Sequence, residues 1–177
     1  TPVSLFESGA ILQYLARKTG SFYGASERER LAVDQWLMWQ MGGLGPMAGQ
    51  AHHFLKYAPD PIPYAKDRYR AEVARLYGVL DRQLAKTEYV AGDSYSIADM
   101  AIWAWYGQLV LGRLYSAAEF LDVESYTHVL RWARAIDARP AVLRGRMVNR
   151  AFGEPALQLH ERHDAADFDT QTQDKLN

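Results

Sequence analysis

The chain contains no cysteine. That excludes disulfides, thiolate metal ligands and any mechanism that runs through a protein thiol. It also lacks an excess of charge of either sign, with 20 Lys and Arg against 21 Asp and Glu and a formal net charge of −1. No global field therefore draws it to nucleic acid or to an anionic membrane. No run approaches the ~18 uninterrupted apolar residues of a membrane span, and the opening Thr1-Pro2-Val3-Ser4 is not the basic, then apolar, then small-residue pattern of a leader. The expectation is a cytoplasmic chain with neither nucleic-acid nor membrane partners. Strand pattern is scarce too: only Val3-Ser4-Leu5-Phe6 reads as half a strand, running straight into a helix. A lone strand leaves its backbone groups unpaired, so its partners are expected upstream of residue 1, in a longer protein.

What is present is core material. At 177 residues, 49% hydrophobic and 12% aromatic, the chain can bury one ordinary domain. Ile11, Leu12 and Leu15 follow helical spacing from Ser8, and Lys18-Thr19-Gly20 is a helix stop. A second helix opens after Ser26 and carries Leu31, Trp36, Leu37 and Trp39 into Gly42-Gly43-Leu44-Gly45-Pro46. Proline there predicts a kink, with the helix resuming through Met47, Ala48, Gln50, Ala51 and Phe54. Ala58 to Pro63 predicts a loop. Tyr64 to about Lys86 predicts an amphipathic helix with Tyr69, Val73, Leu76, Tyr77, Leu80 and Leu84 on one stripe. Ser96-Ile97-Ala98-Asp99 reads as a capping box, with Tyr95 and Met100 placed as a staple, ahead of a helix apolar nearly all round. Two shorter helices are expected at about Ser125 to Asp137 and Ala141 to Val148, and from Asn149 the pattern dissolves into an acidic tail.

Few residues invite chemistry. Glu7-Ser8 sits where the half-strand meets the first helix, whose N-terminal N–H groups form an anion seat. A carboxylate docked there takes an amide and the Ser8 hydroxyl, while the Glu7 carboxylate meets an ammonium group, which together suit an amino-acid zwitterion. An ordinary N-cap uses the same residue types. An anion at a helix N-terminus gains only about 0.3 to 2 kcal/mol, against the roughly 8 of micromolar binding, so most of any site lies elsewhere. Arg68 and Arg75, seven apart on one helix, either fork onto a ligand carboxylate or face solvent in ion pairs. The glycine-rich run lacks the Lys-Ser or Lys-Thr pair of a phosphate loop. His52 and His53 point about 100° apart, and His160-Glu161-Arg162-His163 has the wrong spacing for a zinc helix, so no metal site is expected. The tryptophans Trp36, Trp39, Trp103 and Trp105 read as core or interface.

Taken together, Leu5-Phe6-Glu7-Ser8-Gly9-Ala10-Ile11, Trp36-Leu37-Met38-Trp39-Gln40 with Gly42-Gly43-Leu44-Gly45-Pro46-Met47, His52-His53-Phe54, Val90-Ala91-Gly92-Asp93, Ser96-Ile97-Ala98-Asp99-Met100-Ala101 and Arg139-Pro140-Ala141 resemble the bacterial nu-class glutathione transferases, and within them the YghU-like disulfide-bond reductases. The resemblance runs over essentially the whole chain, including the tail. It implies an all-α bundle, the glutathione transferase C-terminal helical domain, preceded by the last strand and helix of a thioredoxin-like α/β domain that is otherwise absent. Residues 1–20 would be the remnant of that domain, 26–148 the helical domain and 149–177 an extended tail. It further implies a homodimer that uses glutathione as cosubstrate, with no metal, to reduce a small disulfide or attack an electrophile. The family's catalytic residues would lie upstream of residue 1. By resemblance, Glu7 and Ser8 bind the γ-glutamyl group, Arg75 contacts a glutathione carboxylate, and Gln50 and His52 line the cleft. The lack of cysteine agrees with chemistry in which two glutathione thiols exchange with the substrate disulfide. The competing reading is a non-catalytic helical interaction module of the same fold. The isolated 177-residue polypeptide is expected to be inactive and to self-associate through its uncovered interdomain face.

Overall fold

Helix α1, Ser8–Thr19, forms where the sequence places it and stops as it predicts, with Arg17 and Lys18 in the last turn and Gly20 in the left-handed conformation (φ 69°), its N–H donating to the Ala16 carbonyl at 2.9 Å. The structure, a computed structural model, describes residues 4–113 and 122–146. Ser4 to Phe6 carry no strand pairing there, and Val3 and the acidic tail lie outside the described residues. Among the described residues every regular element is helical. By compactness the chain divides into two units, residues 1–133 and 134–177.

In the first unit, α2 (Glu27–Trp39) starts at a capping box that the sequence reading passed over. The Ser26 Oγ accepts from Glu29 N–H at 3.3 Å, and Glu29 Oε2 accepts from Ser26 N–H at 2.8 Å. The expected kink is a π-helical turn, Gln40–Leu44, after which α3 (Gly45–His52) begins with Pro46 in its first turn. The backbone stays helical through Leu44 and Gly45, whose N–H donates to the Gln40 carbonyl, so Pro46 stands in a continuous helical run and the π-helical turn is where the ladder adjusts to its missing N–H. A second π-helical turn, His53–Tyr57, ends α3, and α4 (Pro63–Leu84) follows the loop. The α4 stripe is as expected: Val73, Leu76, Tyr77, Leu80 and Leu84 are buried. Helix α5 (Ile97–Val110) packs against α1, α2 and α3, and α3 packs against α4. A 3₁₀ turn, Val123–Ser125, precedes α6 (Thr127–Asp137).

One buried carboxylate ties the first unit together. Asp99, fully buried, accepts from Val90 N–H (2.9 Å) and Trp132 Nε1–H (2.9 Å) on Oδ1, and from Ser96 N–H (3.0 Å) and Ser96 Oγ–H (2.9 Å) on Oδ2. Burial pushes its pKa up, and these hydrogen bonds pull it back. Tyr95 lies edge-on to Phe22 and Tyr89. Of the tryptophans read as core or interface, Trp103 is buried and Trp36 and Trp39 are half-buried against each other, whereas Trp105 is 44% exposed. In the second unit, α7 (Pro140–Gly145) begins at its proline, and Arg146 Nη1 donates to Asp137 Oδ1 at 3.1 Å.

Candidate functional site

The head of α1 is built unlike an ordinary cap. Glu7 occupies the N-cap position with φ 67° and ψ 115°, and neither its side chain nor that of Ser8 caps the helix. The Glu7 carbonyl accepts the first helical bond, from Ile11 N–H at 3.0 Å. Ser8, Gly9 and Ala10 therefore supply the N–H groups that a helix leaves unpaired at its start. A non-glycine residue at this φ costs about 1–3 kcal/mol and persists only where the surroundings enforce it. Glu7 and Ser8, both exposed, thus stand at the positive end of a twelve-residue helix.

The π-helical turn brings a third residue to this place. The Ser8 hydroxyl donates to the Met41 thioether at 3.9 Å. A Cβ built on Gly9 would stand 3.2 Å from Met41 Cε and 3.3 Å from Cγ, so glycine leaves the room that the thioether fills. One residue earlier, Gln40 is buried. The open side of Gly45 lies 3.0 Å and 3.1 Å from its two amide atoms and 3.3 Å from Trp105 Cε2. Sequence reasoning missed Met41, Gln40 and the exposure of Trp105. Within the glycine run only Gly45 marks a close approach, while a Cβ on Gly42 or Gly43 would meet nothing within 4 Å, so the run by itself did not point to these residues.

The remaining candidates lie on other helices, and no hydrogen bond or ion pair among those found joins them to Glu7 or Ser8. Gln50 is exposed on α3, and His52 ends that helix half-buried, where burial lowers its pKa and keeps the imidazole neutral at pH 7. Arg75, exposed on α4, is engaged by its own helix: Nε and Nη2 fork onto Glu72 at 2.9 Å and 2.6 Å, while Arg68 approaches the same carboxylate at 3.8 Å. Pairing with Arg75 lowers the Glu72 pKa and raises that of Arg75. Cavities of about 520 and 370 Å³ flank the α1–α2 loop, and neither is lined by any of these residues. Among the described residues no three His, Asp or Glu side chains are grouped to hold a metal ion, and no helix is long and apolar enough to cross a membrane.

The helical bundle of the described residues belongs to a defined class. Residues 63–135 match the family described as glutathione S-transferase, C-terminal domain. The chain is 53% identical to the disulfide-bond oxidoreductase YghU of Escherichia coli over 174 residues, 98% of this chain and 60% of that one. It is 50% identical to YfcG of the same organism over 140 residues, 79% of this chain and 62% of the relative. The crystal structure of the glutathione transferase YghU from Streptococcus pneumoniae, complexed with glutathione, superimposes with a TM-score of 0.78 at 48% identity, over 81% of this chain and 55% of that one. The chain belongs to the glutathione transferase family, among its YghU-like members. It spans about 60% of the length of the curated relatives it matches.

Proposed function

We propose that this chain forms the helical part of a glutathione-dependent disulfide-bond oxidoreductase and that Glu7 and Ser8 seat the γ-glutamyl end of glutathione. The observation that carries the reading is the strained Glu7 backbone, which presents a carboxylate and a hydroxyl together at a helix N-terminus. Strain of this kind is maintained where function uses the geometry. The γ-glutamyl group is a zwitterion. Its carboxylate takes the free N–H groups of α1 and the Ser8 hydroxyl, and its ammonium takes Glu7. Curated relatives named as disulfide-bond oxidoreductases and a neighbouring structure solved with glutathione support the same ligand.

In the reaction, one glutathione thiolate attacks a sulfur of the substrate disulfide and releases one substrate thiol. A second glutathione thiolate attacks the mixed disulfide and releases the other, so that two glutathiones are oxidised to one glutathione disulfide and one substrate disulfide is reduced to two thiols. This chain carries no cysteine, so its own part in the reaction is binding and orientation, which turn a slow encounter into an intramolecular step. Arg75, Gln50 and His52 belong to the same reading as carboxylate and cleft contacts, with Arg75 leaving Glu72 to bind. So do the remaining assignments: residues 1–20 end a thioredoxin-like domain, 26–148 form the helical domain, 149–177 form the tail, and the working protein is a cytoplasmic homodimer. Leu31 and Met38, seven apart on α2 and about half exposed, support a partner surface on that helix.

The test is calorimetric titration of glutathione into the native full-length polypeptide and its Ser8→Ala and Glu7→Gln variants, alongside turnover of a small model disulfide and an electrophile. Each substitution is expected to raise the glutathione Kd by about tenfold, or 1.4 kcal/mol. Unchanged affinity in both variants, or no glutathione-dependent turnover by the native protein, overturns the reading.

A further inference from the structure

We propose that Met41 is a positioning residue for the glutathione seat, bracing the first turn of α1 so that Ser8 meets the ligand in a prepared orientation. The inference rests on the assignment of Ser8 above and adds a residue from a different element to that site. Two contacts carry it. The thioether lies across Gly9, filling the space where a side chain would begin, with Cε, Cγ and Sδ at 3.2, 3.3 and 3.5 Å from that position. The same sulfur accepts the Ser8 hydroxyl at 3.9 Å.

The chemistry of the thioether suits the task. Sulfur is a weak acceptor, so the hydroxyl is oriented while unliganded yet surrenders little when a carboxylate replaces the sulfur. A carbonyl or carboxylate in that place would compete with the ligand. Met41 sits beside the core. It is half-buried in the π-helical turn Gln40–Leu44, and the preceding Gln40 is wedged in the core with its amide against Gly45 beside Trp105. The brace thus runs from α5 through the turn to α1. Fixing a binding group before the ligand arrives removes part of the ordering cost of association, which appears as affinity.

The experiment uses the native full-length polypeptide and compares Met41→Ala, Met41→Leu and Met41→Gln with Ser8→Ala, reading glutathione Kd, KM, kcat and Tm for each. Met41→Ala is expected to raise Kd and KM about fivefold, roughly 1 kcal/mol, with kcat within twofold. Met41→Leu, which keeps the packing on Gly9, is expected to stay within about twofold of the native Kd. Met41→Gln, which offers Ser8 a strong acceptor, is expected to weaken binding at least as much as alanine while holding Tm. If Ser8→Ala weakens binding and Met41→Ala does not, the brace is wrong and the seat stands. If Ser8→Ala leaves Kd unchanged, the seat itself is wrong and the brace falls with it. Losses of affinity that follow Tm across the series, so that glutamine with native Tm binds like the native protein, overturn the positioning role in favour of packing alone.

Discussion

The indole N–H of Trp132 donates to Oδ1 of Asp99 at 2.9 Å, joining α6 to the head of α5 across 33 residues of chain. Both groups are buried, and the same carboxylate also gathers Val90 N–H and the Ser96 N–H and hydroxyl. Asp99→Ala removes the acceptor but leaves the donors in place, out of reach of water. The expected loss is about 4 kcal/mol, because stranded buried donors cost more than the bonds themselves contribute. Urea unfolding followed by far-ultraviolet dichroism measures it, and a loss below about 1 kcal/mol would show that the site rehydrates.

Gly107 is the second sensitive point of α5. A Cβ there would stand 2.4 Å from Cε2 and Nε1 of Trp103, whose ring is buried and whose N–H is committed to the Ala133 carbonyl at 3.1 Å. A rigid, hydrogen-bonded indole has nowhere to yield. Gly107→Ala is expected to cost about 3 kcal/mol through overpacking, despite alanine's better helix propensity. Thermal unfolding of the variant checks this, and an unchanged Tm would refute it.

Helices α4 and α6 exchange caps. Asp81 Oδ1 on α4 accepts the His128 and Val129 N–H groups of α6 at 2.9 and 3.1 Å, and Arg131 on α6 returns donors to the Leu84, Thr87 and Glu88 carbonyls at the end of α4. Asp81→Ala is expected to lower stability by about 1–2 kcal/mol, as an N-cap deletion does. Asp81→Asn, which keeps a carbonyl oxygen at the cap, should recover most of the loss in the same urea series.

His52 sets a pH dependence whose sign is fixed. Burial depresses its folded pKa below the ordinary 6.5, so the folded state binds fewer protons than the unfolded one. Its contribution is present above pH 6.5 and is lost as the pH falls through the folded value. Asp99, with a raised pKa, has the opposite sign: its contribution is largest below its ordinary 3.8 and falls as pH rises through the folded value. Between pH 7 and 5 the His52 slope is therefore expected to shrink in His52→Gln, measured as stability at half-unit pH steps.

Glu7→Gly separates fold from function at one position. Glycine adopts φ 67° freely, so relief of the strained backbone is expected to offset glycine's greater freedom in the unfolded chain and leave stability unchanged or raised by up to about 1 kcal/mol. Glutathione binding is expected to weaken in the same variant, because the ammonium partner is gone. A variant both less stable and unchanged in affinity would contradict both halves of the argument.

Much of this molecule was legible before any fold was known, because local rules wrote it. Gly20 ended α1, the apolar stripe from Val73 to Leu84 marked the buried face of α4, Ser96 and Asp99 announced the head of α5, Pro46 marked an irregularity in the long helix, and Pro140 fell in a first turn. Each depends on backbone conformation or on side chains three or four residues apart. The start of α1 at Ser8 was legible for the same reason, since a helix N-terminus is a local event. The sequence alone thus determined most of the helices and several of their ends. Tertiary structure alone decided that Pro46 would be approached through a π-helical turn, and that this turn would carry Met41 onto Gly9. It alone left Trp105 at the surface, aimed Asp81 at α6 and brought Trp132 to Asp99. The contacts among them join residues far apart in the chain, as the 33 positions between Ser8 and Met41 and between Asp99 and Trp132 and the 47 between Asp81 and His128 show. No periodicity along the chain encodes such pairings. They follow from which faces can be buried together and which polar groups must then find partners.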